Sequence, residues 1–121
     1  MKPQLLFLDD ETMRHDWADK VYAEYEVHHA YNFEQFKKAL ARINGPFDVV
    51  SFDHDIAGMP FEHNVEVTGL TCADWMIARP EFHPRACIVH SWNPSGAQRL
   101  VLALERAGFA VTRRMAGYGD R

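Results

Sequence analysis

Cationic side chains are scarce in this chain: 13 Lys and Arg stand against 17 Asp and Glu, for a formal net charge of -4. A wide footprint on duplex nucleic acid needs many Lys and Arg contacts to phosphate, so the composition argues against duplex DNA as a partner. No lysine follows Lys38. Cysteine is rarer still. Cys72 and Cys87 are the only two, and both fall inside predicted regular elements, which leaves neither a disulfide framework nor a thiolate zinc site. That usage fits a reducing, cytoplasmic setting. Long apolar runs are missing as well. Leu5-Leu6-Phe7-Leu8 stops at two aspartates, far short of a signal-peptide core or a membrane span. Repeats, low-complexity tracts and linker-like stretches are absent too, so residues 1–121 are expected to form a single domain. With 47% hydrophobic content, that domain can bury a core without staples.

What the chain does have is a recurring pattern: a short apolar run followed by a polar cluster. Asp9-Asp10-Glu11 follows Leu5 to Leu8, Asp53-His54-Asp55 follows Val49-Val50-Ser51-Phe52, and His90-Ser91-Trp92-Asn93 follows Ala86-Cys87-Ile88-Val89. If the runs are parallel strands of one sheet, all three clusters emerge at its carboxyl edge, where open α/β folds place their ligand sites.

The intervening segments support that reading. Arg14 to Tyr25 carries Trp17, Val21 and Tyr25 at spacings of four, which suits a short helix with one buried stripe. Val27 to Tyr31 reads as a strand interrupted by two histidines. Asn32 caps the next helix, with Gln35 in the capping-box position, Tyr31 and Phe36 as a hydrophobic staple, and Phe33, Phe36, Leu40 and Ile43 on one face until Gly45-Pro46. Phe47 to Phe52 is the third strand. Residues 57–68 lack periodicity and read as a long loop of the kind that often serves as a lid. Thr71 is the expected cap of a helix with Ala73, Met76 and Ile77 inside, which Pro80 stops. Pro94 opens the last helix, with Ala97, Leu100, Val101 and Leu104 at helical spacing and Gly108 at its end; Phe109 to Arg113 is the fifth strand. Strands and helices therefore alternate. Right-handed crossovers then predict a doubly wound, five-stranded parallel sheet in the flavodoxin-like order 2-1-3-4-5.

In that order the first and third strands are neighbours, so Asp9, Asp10 and Asp53 converge. Packed carboxylates repel one another unless a cation or proton intervenes, and a divalent metal, Mg²⁺ or Mn²⁺ for oxygen donors, accounts for them at least cost. The plainer alternative is turn and N-cap duty after a strand. His54 and His90 sit at strand ends beside the acids, either as proton-transfer groups with little apolar packing to supply, or as satisfied strand-end histidines. As ligands they would tilt the site toward Mn²⁺, Fe²⁺ or Zn²⁺. His15, His28, His29, His63 and His83 read as structural or surface residues, with His63 in the long loop. Ser91 offers a hydroxyl to phosphate or caps a helix, and Asn93 serves as N-cap, ligand contact or both. Arg14, Arg113 and Arg114 are the candidate phosphate cations, although strand alternation lets only one of the last pair face the site.

The Asp9-Asp10 pair, Asp53 after the third strand and Ser91 after the fourth resemble the receiver domains of two-component response regulators. In those domains the acids hold Mg²⁺, the third-strand Asp is phosphorylated and the hydroxyl senses it. This chain lacks the lysine that receivers carry after the fifth strand. Its closer resemblance is to a receiver-derived family named for cyclic-phosphate processing. The residues that carry it are Leu8-Asp9-Asp10 with Arg14, Ser51-Phe52-Asp53-His54-Asp55-Ile56, Thr68-Gly69, and His90-Ser91-Trp92-Asn93-Pro94. The family's arginine falls two residues after the acidic pair, where this chain has Thr12.

That resemblance implies a metal-dependent phosphoesterase acting on a small cyclic phosphate, either a 2′,3′-cyclic RNA end or a cyclic nucleotide. Asp10 and Asp53, with Asp9 or Asp55, would hold the metal; His54 or His90 would move the proton, and Arg14 or a strand-five arginine would neutralise phosphate charge. Ser91, Asn93, Arg113 and Arg114 would bind substrate, and Ser91 would also stand with His54, His90 and Arg14 among the catalytic residues. The competing expectation is a non-catalytic receiver that senses a phosphate ligand or signals through Asp53. Neither expectation sets an oligomeric state, and neither involves a membrane.

Overall fold

The structure is a computed structural model that describes residues 1–56, 61–62 and 65–116. Its elements in chain order are β1 (Gln4–Leu8), α1 (Thr12–Val21), β2 (Glu26–Ala30), α2 (Phe33–Arg42), β3 (Val49–Phe52), β4 (Phe61–Glu62), β5 (Val65–Glu66), α3 (Gly69–Ile77), a 3₁₀ turn (Pro80–Phe82), β6 (Ala86–Val89), α4 (Pro94–Arg106) and β7 (Ala110–Arg113). Five strands form one parallel sheet in the order β2-β1-β3-β6-β7. Counting that sheet's own strands, this is the expected order 2-1-3-4-5.

Strand alternation divides the core into two layers. Leu6 and Leu8 of β1, Val50 and Phe52 of β3, and Cys87 and Val89 of β6 face α2, α3 and α4, whose Phe36, Leu40, Cys72, Ala73, Met76, Leu100 and Leu104 cover them. Leu5 and Phe7 point the other way, toward Ala18 of α1 and Tyr22. A continuous apolar run is what a strand covered on both faces requires. Both cysteines are buried and unpaired, and burial pushes both thiols up, Cys87 to about 12. Among the described residues no helix is long and apolar enough to cross a membrane.

Three local expectations are corrected. The buried stripe of α1 is His15 and Ala18, continued by Tyr22, rather than Trp17, Val21 and Tyr25, which pack at its flank. The stripe is displaced because His15 is drawn inward to the Asp9 carbonyl, 2.7 Å from its Nε2. The cap of α3 is Thr68 rather than Thr71. Thr68 Oγ1 accepts from Leu70 N, and Thr71 Oγ1 closes the box by accepting from Thr68 N. Finally, the segment expected to be loop contains the antiparallel pair β4 and β5; residues 57–60 and 63–64, His63 among them, lie outside the described residues. By contrast, α2 starts at the expected cap, with Asn32 Oδ1 accepting from Gln35 N at 2.9 Å, and Gly45 and Gly108 follow their helices at φ 94° and 98°.

The β3 end is packed against two helix N-termini. A Cβ on Gly69 would lie 1.7 Å from the Asp53 carbonyl oxygen, and one on Gly96 would lie 2.4 Å from the His54 ring. Only glycine allows α3 and α4 to approach so closely. Gly69 N also donates to the His54 carbonyl at 2.6 Å, tying the start of α3 to the turn after β3.

Candidate functional site

Backbone ladders run one residue past the strands and carry the side chains with them. Asp9 N donates to Ala30 O, Asp53 N to Leu8 O and His90 N to Phe52 O, each at 3.0 Å. The three residues therefore line up across β1, β3 and β6, and adjacent strands lie about 4.8 Å apart. One ligand atom from each of Asp9, Asp53 and His90 falls within 4.8 Å of the others, and all three residues are buried.

Asp9 is the best-held member. Its Oδ1 accepts from Glu11 N at 2.8 Å and lies 3.3 Å from Arg14 Nη1, while its Oδ2 lies 3.0 Å from His90 Nε2. Burial opposes its charge, yet the His90 contact, the Glu11 amide and the Arg14 guanidinium together hold its carboxyl below the usual range. Asp53 goes the other way. Burial, reinforced by the Asp9 charge, pushes it up to about 7 against the pull of Arg14 and the His54 amide. Arg14 Nη1 reaches Asp53 Oδ2 at 3.7 Å as well, so one partly exposed guanidinium spans both carboxylates. Thus Arg14 enters the site even though Thr12 stands at the family's position, because α1 begins at Thr12 and turns residue 14 back over the sheet edge. Asp10 is only partly buried and lies outside the three-residue cluster; burial and the Asp9 charge push its carboxyl up.

The two histidines have separate fates. His90 is fully buried and stacked on Phe7, with ring centroids 4.3 Å apart, and its Nδ1 lies 2.7 Å from Ser51 Oγ. It does supply packing, contrary to the sequence expectation, and it is sealed from solvent. His54 lies over Gly96 in the first turn of α4, with its Nδ1 3.0 Å from Asp55 Oδ1. Asp55 is two-thirds exposed and faces His54 and Asn93 rather than the carboxylate pair.

The remaining candidates build the rim. Asn93 Oδ1 caps α4 by accepting from Gly96 N at 3.0 Å and from the Ser95 hydroxyl. Ser91 is buried, and its Oγ accepts from Asn93 N, so its hydroxyl shapes the turn. Alternation separates the arginine pair: Arg113 donates to the Ser91 carbonyl at 3.3 Å, whereas Arg114 lies over the Trp17 and Tyr22 rings. His15 reaches the Asp9 carbonyl from behind and His29 through its own Nδ1; burial lowers the His15 pKa. Sequence reading gave no separate weight to Ser51 or Phe7. The signal for Ser51 was present, since a lone hydroxyl in an apolar strand two residues before Asp53 must share its face.

A family model described as the cyclic-phosphate processing receiver domain matches residues 4–106. No curated protein matches the chain. Its fold is similar to that of a CheY-like receiver domain protein from Methanospirillum hungatei, with a TM-score of 0.71 at 16% identity, covering 98% of this chain and 85% of that one. It is also similar to the chemotaxis response regulator CheY4 of Vibrio cholerae (TM-score 0.68, 16% identity, 98% and 90% covered). The response regulator TrrA of Thermotoga maritima, solved in complex with Mg²⁺ and BeF, gives a TM-score of 0.67 at 20% identity with 98% and 90% covered. At such identities the solved structures speak for the fold alone. The family model covers most of the chain, including the Asp9-Asp10, Asp53-His54-Asp55 and His90-Ser91 motifs, and this chain belongs to the cyclic-phosphate processing receiver domain family.

Proposed function

We propose that this protein is a divalent-metal-dependent phosphodiesterase that opens a small cyclic phosphate, with a 2′,3′-cyclic RNA end or a cyclic nucleotide as its substrate class. The observation that carries the reading is the pairing of two buried carboxylates under one arginine with a separate His54–Asp55 pair at the N-terminus of α4. Phosphate hydrolysis needs charge neutralisation in one place and proton transfer beside it, and the two clusters supply one each.

The residues fit a hard divalent cation. Burial, with the Asp9 charge added, pushes the Asp53 carboxyl up to about 7, and a cation held by these carboxylates would relieve that repulsion. Asp9 and Asp53, with Asp10 beside them, would hold it, and Mg²⁺ or Mn²⁺ suits oxygen donors. A cation held there would supply polarisation of the phosphate and a lowered pKa for a water. Arg14 is the fixed cation that meets phosphate charge. His54 has no hydrogen-bond partner for its Nε2 among the described residues, and Asp55 orients its other nitrogen, so it is the group placed to take a proton from water or return one to the leaving alkoxide. His90, sealed against Phe7, is not. The N-terminus of α4, capped by Asn93, adds a partial positive charge favourable to an anion.

The test offers the protein a 2′,3′-cyclic nucleotide with Mg²⁺ or Mn²⁺, separates products by chromatography, and in parallel exposes the protein to acetyl phosphate before mass spectrometry. Metal-dependent ring opening without a stable phosphoryl adduct is the expected result. A lasting phosphoryl group on Asp53 with the nucleotide intact would establish the signalling receiver instead, and an intact nucleotide with an unmodified protein would leave ligand sensing.

A further inference from the structure

His90 completes what looks like a ready-made Asp–Asp–His metal cluster, yet its surroundings leave it no free lone pair. Asp9 accepts a backbone N–H from Glu11 and faces Arg14, so it sits here as a carboxylate, which can only accept hydrogen bonds. The His90 nitrogen 3.0 Å from Asp9 Oδ2 is Nε2, and it must therefore donate. The ring is fully buried and stacked on Phe7, and among the described residues Asp9 is the only carboxylate at hydrogen-bond distance from it, an Asp53 oxygen lying within 4.8 Å. A second proton on it would have to be accommodated at Nδ1. The atom facing Nδ1, 2.7 Å away, is the hydroxyl of Ser51, which can donate, and a neutral imidazole accepts at the nitrogen that lacks the proton.

We propose that Ser51 is a positioning residue of this site: its hydroxyl holds His90 from behind as an Nε2–H donor, so that the imidazole orients Asp9 and stays out of the cation's ligand set. The chain of donation runs Ser51 Oγ–H to His90 Nδ1, then His90 Nε2–H to Asp9 Oδ2. It crosses the three central strands, with Ser51 on β3, His90 after β6 and Asp9 after β1, and each of the three side chains is fully buried. Outer groups that hold a ligand in register commonly govern cation affinity as strongly as the ligands do. With His90 removed, the donors left are carboxylate oxygens, and the site selects a hard cation over Zn²⁺. This last consequence rests on the cation reading above, whereas the relay itself does not.

Long-range ¹⁵N–¹H NMR of labelled protein reads the relay directly. His90 is expected to show a protonated Nε2 and an unprotonated, hydrogen-bonded Nδ1, and to keep that pattern when Mg²⁺ or Zn²⁺ is added. In Ser51→Ala the Nδ1 signal is expected to move to that of an unbonded nitrogen, and Mg²⁺ affinity by calorimetry to fall about tenfold, while Ser51→Thr restores both. A protonated Nδ1 in the wild type, or loss of the Nε2 proton when a cation is added, overturns the proposal. So does a Ser51→Ala variant with an unmoved Nδ1 signal. If wild type takes up no cation at all, the cation reading fails, and the nitrogen signals still decide the relay.

Discussion

Asn in place of Asp53 is expected to stabilise the cation-free protein at pH 8 and to change it little near pH 4.5. The cause is the burial of Asp53 beside Asp9, which raises its carboxyl from the ordinary 3.8 to about 7. The folded state then keeps a proton that the unfolded chain has released, so stability falls as pH rises from about 4 to about 7. The difference is about a thousandfold in proton affinity, or about 4 kcal/mol above pH 7, and about 1 kcal/mol at pH 4.5. Asn has the same shape, still accepts from His54 N as Asp53 Oδ1 does at 2.9 Å, and carries no charge to bury. For a domain of this size a stabilisation of about 3 kcal/mol corresponds to about 10 °C in Tm. Thermal melts of both proteins in EDTA at the two pH values measure it. An equal gap at both pH values, or an Asn variant that melts lower at pH 8, would refute the electrostatic account of the site. Adding Mg²⁺ at pH 8 should raise the wild-type melt and leave the Asp53→Asn melt nearly unmoved.

Gly69→Ala should cost about 2–4 kcal/mol in a denaturant titration, because the new methyl meets the Asp53 carbonyl and the bond to His54 O is strained; Gly96→Ala should destabilise as well, since its methyl would meet the root of the buried His54 ring. His54→Ala should lower kcat on a cyclic phosphate about a hundredfold or more with Tm within a few degrees, and a normal kcat would remove His54 from the proton-transfer role. Arg14→Ala should move the Asp53 titration, followed by carboxyl ¹³C shifts, to still higher pH, because the guanidinium now pulls it down; a downward move would show that Arg14 does not act on Asp53.

Much of the site could be read from residue order because a parallel sheet converts sequence position into place. Residues that follow apolar runs must surface at one edge, so Asp9, Asp53 and His90 could be brought together before any coordinates, and the specific Asp-His-Asp and His-Ser-Trp-Asn-Pro segments pointed to the family. Helix α2 was equally legible, since Asn32, Gln35 and Gly45 act within one or two turns of the chain. Thr68 and Thr71, by contrast, both lie at capping spacing in the sequence, and only the close approach of Gly69 to the β3 turn selects Thr68.

The tertiary structure decided what each polar residue does, because that depends on partners far away in sequence. Arg14 could not be assigned from spacing, yet the first turn of α1 sets it across Asp9 and Asp53. His54 and His90 look alike as strand-end histidines; contact with Phe7, Ser51 and Asp9 seals one completely, while the other is buried against the Gly96 turn with its Nδ1 on the exposed Asp55. Sequence by itself determined the sheet order, the edge that carries the chemistry and the family, since apolar periodicity and local motifs are properties of short stretches. Burial, proton placement and the division of labour among carboxylates and imidazoles came only with packing, because desolvation and hydrogen-bond geometry are set by contacts that no short stretch contains.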